Sequence, residues 1–166
     1  MSNREAFAQG DFVVYPSHGV GQLGSIETQT IAGCELKVLV ITFEKTKMTL
    51  RLPLQKAQAS GLRRLTSKEQ LGEILGSLKR RVKAKKGVWA RRAQEYELKI
   101  NSGNPTSLAE VLRELYRKDT QPEQSYSERQ IYRSALERLS CEVALVESID
   151  EEAATKRVED ILEKAA

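Results

Sequence analysis

Apolar residues come in short runs and alternations over the first sixty positions and at helical spacing after that. "DFVVY" is a compact apolar run closed by Pro16. "HGVGQLGSIETQTIAGCE" is punctuated by Gly19, Gly21, Gly24 and Gly33, the pattern of tight turns and bulges in a small curved sheet. "LKVLVITF" is β-rich and nearly continuous in apolar residues, and in "KMTLRLPL" Met48, Leu50 and Leu52 alternate with Lys47, Thr49 and Arg51. Pro53 ends that strand or confines it to an edge, because proline has no N–H to give a ladder. These features predict a small barrel-like β-domain over residues 1–60.

The period changes near residues 55–66. "TSKEQLGEILGSLKRR" offers a cap at Thr66 or Ser67 and sets Leu71, Ile74, Leu75 and Leu78 at i, i+3, i+4 and i+7, one amphipathic helix. A second includes "WARRAQEYELKI" and stops at "NSGNP", where Gly103 suits a C-terminal cap and Pro105 the first turn of the next helix. "SLAEVLRELYRKD" places Leu108, Val111, Leu112, Leu115 and Tyr116 on one stripe. Ser127 with Gln130 has capping-box spacing ahead of a long helix carrying Ile131, Ala135, Leu139, Val143 and Val146. Ser148 with Glu151 offers a second box for a last helix. The expected class is α+β, with an all-helical domain over residues 61–166.

Length and composition permit this division: 166 residues, 40% hydrophobic, can build two small cores. "LKVLVITF" is too short to cross a bilayer and "MSNREAFAQGD" lacks an apolar signal core, so a cytoplasmic protein with no membrane partner is expected. Cys34 and Cys141 lie in unlike segments and form no CxxC pair, which suggests reduced structural thiols. Charge changes the picture more. The formal net charge is +4, yet residues 61–99 hold 12 Lys/Arg against 4 Asp/Glu, net +8, while residues 100–166 are net −5. A localised basic patch of that kind suits a polyanion, although a solvated helix face is its plain alternative.

Little of the sequence looks catalytic. His18 stands alone in "YPSHGVG", without the second histidine or cysteine pair of a zinc site or the partners of a general base. A turn-stabilising or partner-contact role fits it better. The surrounding glycines match neither the dinucleotide fingerprint nor the P-loop, and the carboxylates of "ESIDEE" read as helix-start residues stabilised by the dipole. No enzyme, cofactor or metal is expected. The better site is Trp89, the only tryptophan, set among Arg80, Arg81, Lys83, Lys85, Lys86, Arg91 and Arg92 in "KRRVKAKKGVWARRAQEY". Tryptophan is often core packing. At a helix start, however, with Arg91 and Arg92 pointing to other faces and gripping phosphates, the indole can reach a groove and wedge into an unstacked step.

These residues resemble the CarD family of bacterial transcription regulators, specifically its CdnL-type branch. "GDFVVYPSHGVGQL", "SIETQTIAG", "MTLRLPLQKA", "WARR", "LAEVLRELYRKD" and "SYSERQIYRSALERLSCEVALVESIDEEAA" stand in the family's order over nearly the whole chain. The resemblance implies a Tudor-like N-terminal domain, similar to that of the transcription-repair coupling factor, docking on the RNA polymerase β subunit. It implies a helical domain at the upstream edge of the transcription bubble, where the tryptophan matching Trp89 wedges into the minor groove. The activity implied is stabilisation of the promoter open complex with the housekeeping sigma factor, as at ribosomal RNA promoters, by a monomer associated with the nucleoid through the polymerase. Position by position, Arg51, Thr49, Gln29 and Ile31 fall on the polymerase-binding edge. Gln29 departs from the arginine of some members, so that contact carries less charge. The rival readings are a generic RNA- or DNA-binding module with a basic helix and no polymerase contact, and an adaptor whose basic helix binds an acidic protein. Trp89→Ala separates them, since a core tryptophan would unfold the domain when removed.

Overall fold

Short β-rich segments become strands where turn chemistry lets the chain reverse. The computed structural model describes residues 7–57, 59–80, 87–117 and 124–165. Strands β1 (Phe12–Tyr15), β2 (Gly19–Ile31), β3 (Cys34–Phe43), β4 (Met48–Pro53) and β5 (Arg63–Arg64) form one antiparallel sheet of order β4-β3-β2-β1-β5. Between β1 and β2 the His18 N–H donates to the Tyr15 carbonyl at 3.0 Å and the His18 ring stacks on Tyr15, centroids 5.4 Å apart, consistent with a turn-stabilising role. Ala32 and Gly33, at φ 54° and 78°, close the β2–β3 hairpin between Ile31 and Cys34, a two-residue turn that needs positive φ at both positions.

The glycines of the second strand do not all mark turns. β2 is a single 13-residue strand whose register shifts once, between Leu23 and Ser25, at Gly24. Gly21 lies mid-strand for a packing reason: a Cβ there would sit 2.7 Å from Ile41 Cγ2 and 2.8 Å from the Phe43 ring. Val13, Leu23, Leu39, Ile41, Phe43 and Leu52 make the core of this unit. β4 ends at Pro53 and is a terminal strand of the sheet, which is where a proline costs no ladder bond. A short helix α1 (Leu54–Ala57) follows, and β5 then returns to pair Arg63 and Arg64 with Val14 and Val13. Because of that pairing the compact unit runs to Leu65, beyond the expected division at residue 60, and the second unit begins at Thr66.

The second unit contains α2 (Lys68–Ser77), α3 (Trp89–Asn101), α4 (Pro105–Leu115), α5 (Tyr126–Glu147) and α6 (Glu151–Ala165). Ser67 caps α2 in a full capping box with Gln70. Thr66 turns inward instead: its N–H (2.7 Å) and hydroxyl both donate to the carboxylate of Glu142, which is 2% exposed on α5. Gly103, at φ 73°, follows α3, and Asn104 caps α4 with Pro105 in its first turn, as the spacing predicts. Two caps differ from expectation. Ser125, not Ser127, accepts from the Glu128 N–H and starts α5. Ser148 ends α5 in the left-handed region at φ 57°, while Asp150 caps α6 through the Ala153 N–H. The predicted stripes converge on one core: Leu71, Leu78, Leu112, Leu115, Leu139 and Val158 are each at most 1% exposed.

Candidate functional site

Trp89 is the first residue of α3 and packs, half-buried, on the edge of the helical core. The preceding Gly87 has φ 142° and Val88, at the cap position, is 73% exposed and supplies no side-chain hydrogen bond to the helix start. The helix therefore presents its first backbone N–H groups and the positive end of its dipole beside the indole. Behind Trp89, one and two turns along the same face, lie Arg92 and Tyr96. The Trp89 and Tyr96 rings are 6.2 Å apart at 48°. The Arg92 guanidinium carbon is 5.5 Å from the Trp89 ring and 5.7 Å from that of Tyr96.

This geometry corrects one expectation. Arg92 does not point away from Trp89: spacing of i, i+3 and i+7 brings Trp89, Arg92 and Tyr96 to one face. Its Nη2 donates to the Tyr96 hydroxyl at 3.0 Å, and its Nε is buried without a hydrogen-bond partner among the described residues. Tyr96 is 1% exposed. Burial holds its hydroxyl above the ordinary tyrosine range; Arg92 opposes this, and the buried carboxylate of Glu114 on α4 adds to it. Tyr96 and Glu114 were not among the residues the sequence singled out. Tyr96 was detectable as an aromatic four residues past Arg92, whereas Glu114 is a charge on an apolar helix stripe that only packing reveals.

The remaining cations divide by use. Arg91 is exposed and forms no ion pair among the described residues, and Arg80 is exposed just after α2. Arg81, Lys83, Lys85 and Lys86 lie outside the described residues. Lys99 pairs with Glu110 at 3.0 Å, Arg113 donates to the Ser77 carbonyl and Arg138 to that of Ile100, so these cations tie helices together.

In the β-unit, register places the other four expected residues on one face. Gln29 pairs with Leu36 and Ile31 with Cys34, while Thr49 pairs with Thr42 and Arg51 with Val40. Directly paired residues share a face and alternation keeps every second residue there, so Gln29, Ile31, Thr49 and Arg51 all project opposite to the core residues Leu39, Ile41 and Leu52. Ile31 is 54% exposed. Arg51 reaches across β3 to the carboxylate of Glu27. Both partners are substantially exposed, so the ion pair is weak and leaves Arg51 available to a competing carboxylate.

No group of three or more His, Cys, Asp or Glu among the described residues could hold a metal ion, and none of the described helices is long and apolar enough to cross a membrane. Cys34 is exposed and Cys141 buried, and neither forms a disulfide among the described residues.

Comparison with known proteins follows the same two-part division. Residues 7–66 match the family model described as the CarD-like/TRCF RID domain, consistent with a Tudor-like fold for the β-unit, and residues 73–159 match that of the CarD C-terminal domain. A Bacillus subtilis (strain 168) protein named "Putative transcription factor YdeB" is 28% identical over 145 residues, 87% of this chain and 95% of its own length. These families are regulatory and not enzymatic. With the two domains matched in order across most of its length, the chain belongs to the CarD family of transcription factors.

Proposed function

We propose that this protein docks on the RNA polymerase β subunit through the outer face of its sheet and stabilises the promoter open complex formed with the housekeeping sigma factor. Trp89 enters the minor groove at the upstream edge of the bubble and hinders its closing. The observation that carries this reading is the placement of Trp89 at the uncapped start of α3, half-buried, with the exposed Arg91 beside it. A large apolar ring at a positive helix end suits a step that is already unstacked, because the protein then need not supply the unstacking energy itself. Gln29, Ile31, Thr49 and Arg51 form the docking face, and the terminal strand β4 offers backbone groups for strand addition. Tethering supplies the effective concentration that a few phosphate contacts lack, so the protein alone binds DNA weakly and without sequence preference.

The test is open-complex lifetime on a ribosomal RNA promoter with cognate polymerase, for wild type, Trp89→Ala and Arg51→Glu. Arg51→Glu sets a second carboxylate beside Glu27 and repels an acidic partner. A lifetime extended by wild type and by neither variant, with Trp89→Ala still folded and polymerase-bound, supports the two-contact reading. No extension by wild type refutes it, and an unfolded Trp89→Ala makes the indole a core residue.

A further inference from the structure

The proposed function sets Trp89 at the groove with basic neighbours but assigns Arg91 and Arg92 no separate tasks. The arrangement around Arg92 distinguishes them. A guanidinium that grips a phosphate must reach solvent with its donors, yet the Arg92 Nε is buried, one Nη donates to the Tyr96 hydroxyl, and the planar group lies near two aromatic rings. Partial burial of such a cation is tolerated where π faces and a carboxylate nearby offset the lost hydration. Here the rings are Trp89 and Tyr96, and the carboxylate whose charge acts on the Tyr96 hydroxyl is Glu114. The contacts Tyr96–Arg92–Trp89 thus link the buried second turn of α3 to its first residue.

We infer that Arg92 is a positioning residue, clamping the Trp89 indole against Tyr96 so that its free edge is presented in one orientation, and that Arg91 alone of the pair meets the phosphate backbone. An indole ordered before binding loses less conformational freedom on insertion, which is the benefit such a clamp supplies. Lysine would be a poor substitute, because a compact ammonium lacks the planar fork that can face an aromatic ring while donating sideways to a hydroxyl. The promoter consequence rests on the wedge reading above; the clamp itself does not.

Because Trp89 is the only tryptophan, its fluorescence reports the clamp directly. The experiment compares emission maximum and acrylamide quenching in the full-length wild type, Arg92→Gln, Arg92→Lys, Tyr96→Phe and Arg91→Gln, with circular dichroism to confirm folding. Arg92→Gln is expected to shift emission to longer wavelength and to increase quenching. Arg92→Lys should recover little of this, Tyr96→Phe should move the same way by less, and Arg91→Gln should leave the spectrum as in wild type. In the promoter assay Arg92→Gln should shorten open-complex lifetime by roughly threefold to tenfold, the range that loss of a partly desolvated cation–π contact supports. Unchanged emission and quenching in both Arg92→Gln and Tyr96→Phe would overturn the clamp, as would an Arg91→Gln spectrum that moves as far as that of Arg92→Gln. Should Arg92→Gln fail to fold, Tyr96→Phe decides by the same spectral criterion. A shifted Arg92→Gln spectrum together with a Trp89→Ala protein that still prolongs the open complex supports the clamp and removes the wedge reading, so the two fail separately.

Discussion

At the residue scale, the buried carboxylate of Glu142 shows how one polar group can define where a domain starts. Burying a carboxylate is costly unless donors surround it, and Thr66 provides two, from its N–H and its hydroxyl. Thr66 is also the first residue of the helical unit, so the chain enters that unit pinned to the C-terminal half of α5. Glu142→Ala removes the acceptor and strands both donors. A loss of about 1–3 kcal/mol is expected, read as a lower urea midpoint. Glu142→Gln, which keeps an acceptor oxygen, should lose less. Equal midpoints for wild type and Glu142→Ala would show that this contact does not hold the entry of the unit.

At the element scale, the junction of α5 and α6 separates stop from start within three residues. Ser148 takes a left-handed conformation that costs a side-chain-bearing residue roughly 1 kcal/mol, and its N–H and that of Ile149 both donate to the Ala144 carbonyl. Asp150 then caps α6, with Glu151 and Glu152 in the first turn where the dipole favours them. Opposite changes are expected from two substitutions in the thermal midpoint of the full chain. Ser148→Gly should stabilise by about 1 kcal/mol, and Asp150→Ala should destabilise by about 0.5–2 kcal/mol. A destabilised Ser148→Gly would remove the strain assigned to Ser148, and an undiminished midpoint in Asp150→Ala would remove the cap assigned to Asp150.

At the scale of the whole molecule, two separate cores carry two chemically different surfaces. The β-unit holds 8 Lys/Arg against 5 Asp/Glu and offers a strand face, whereas residues 66–99 hold 10 against 4, a net +6 concentrated around the start of the helical unit. Part of that charge is used internally, as Lys99 and Arg92 show. The salt dependence of promoter binding should therefore reflect fewer cations than composition suggests. Plotting log affinity of the polymerase–promoter assembly against log salt, Arg91→Gln is expected to reduce the contribution of this protein to the slope by about 1, as loss of one phosphate contact does. Arg92→Gln should leave the slope as it is; equal reductions for both would place the two arginines on the backbone alike.

Much of this was legible in the sequence. Alternation and helical periodicity predicted the β-then-α order, because each pattern suits only one backbone geometry able to bury its apolar set. The stripes Leu71 to Leu78 and Leu108 to Leu115 are buried as spaced, and the signals at Gly103 and Pro105 were unambiguous because few conformations are open to those residues. Choices among near-equivalent residues were not legible. Ser125 and Ser127 both precede a suitable partner by three positions, and only the folded backbone, extended at Ser125 and already helical at Ser127, selects Ser125. What the sequence determined alone was local: element type, the two-part division and the isolation of Trp89 among cations. Tertiary structure decided which charges face water and which face protein, because burial of Glu114, Glu142 and the Arg92 Nε depends on partners brought from other turns and other helices, and no local pattern records a contact across 76 residues such as that of Thr66 with Glu142.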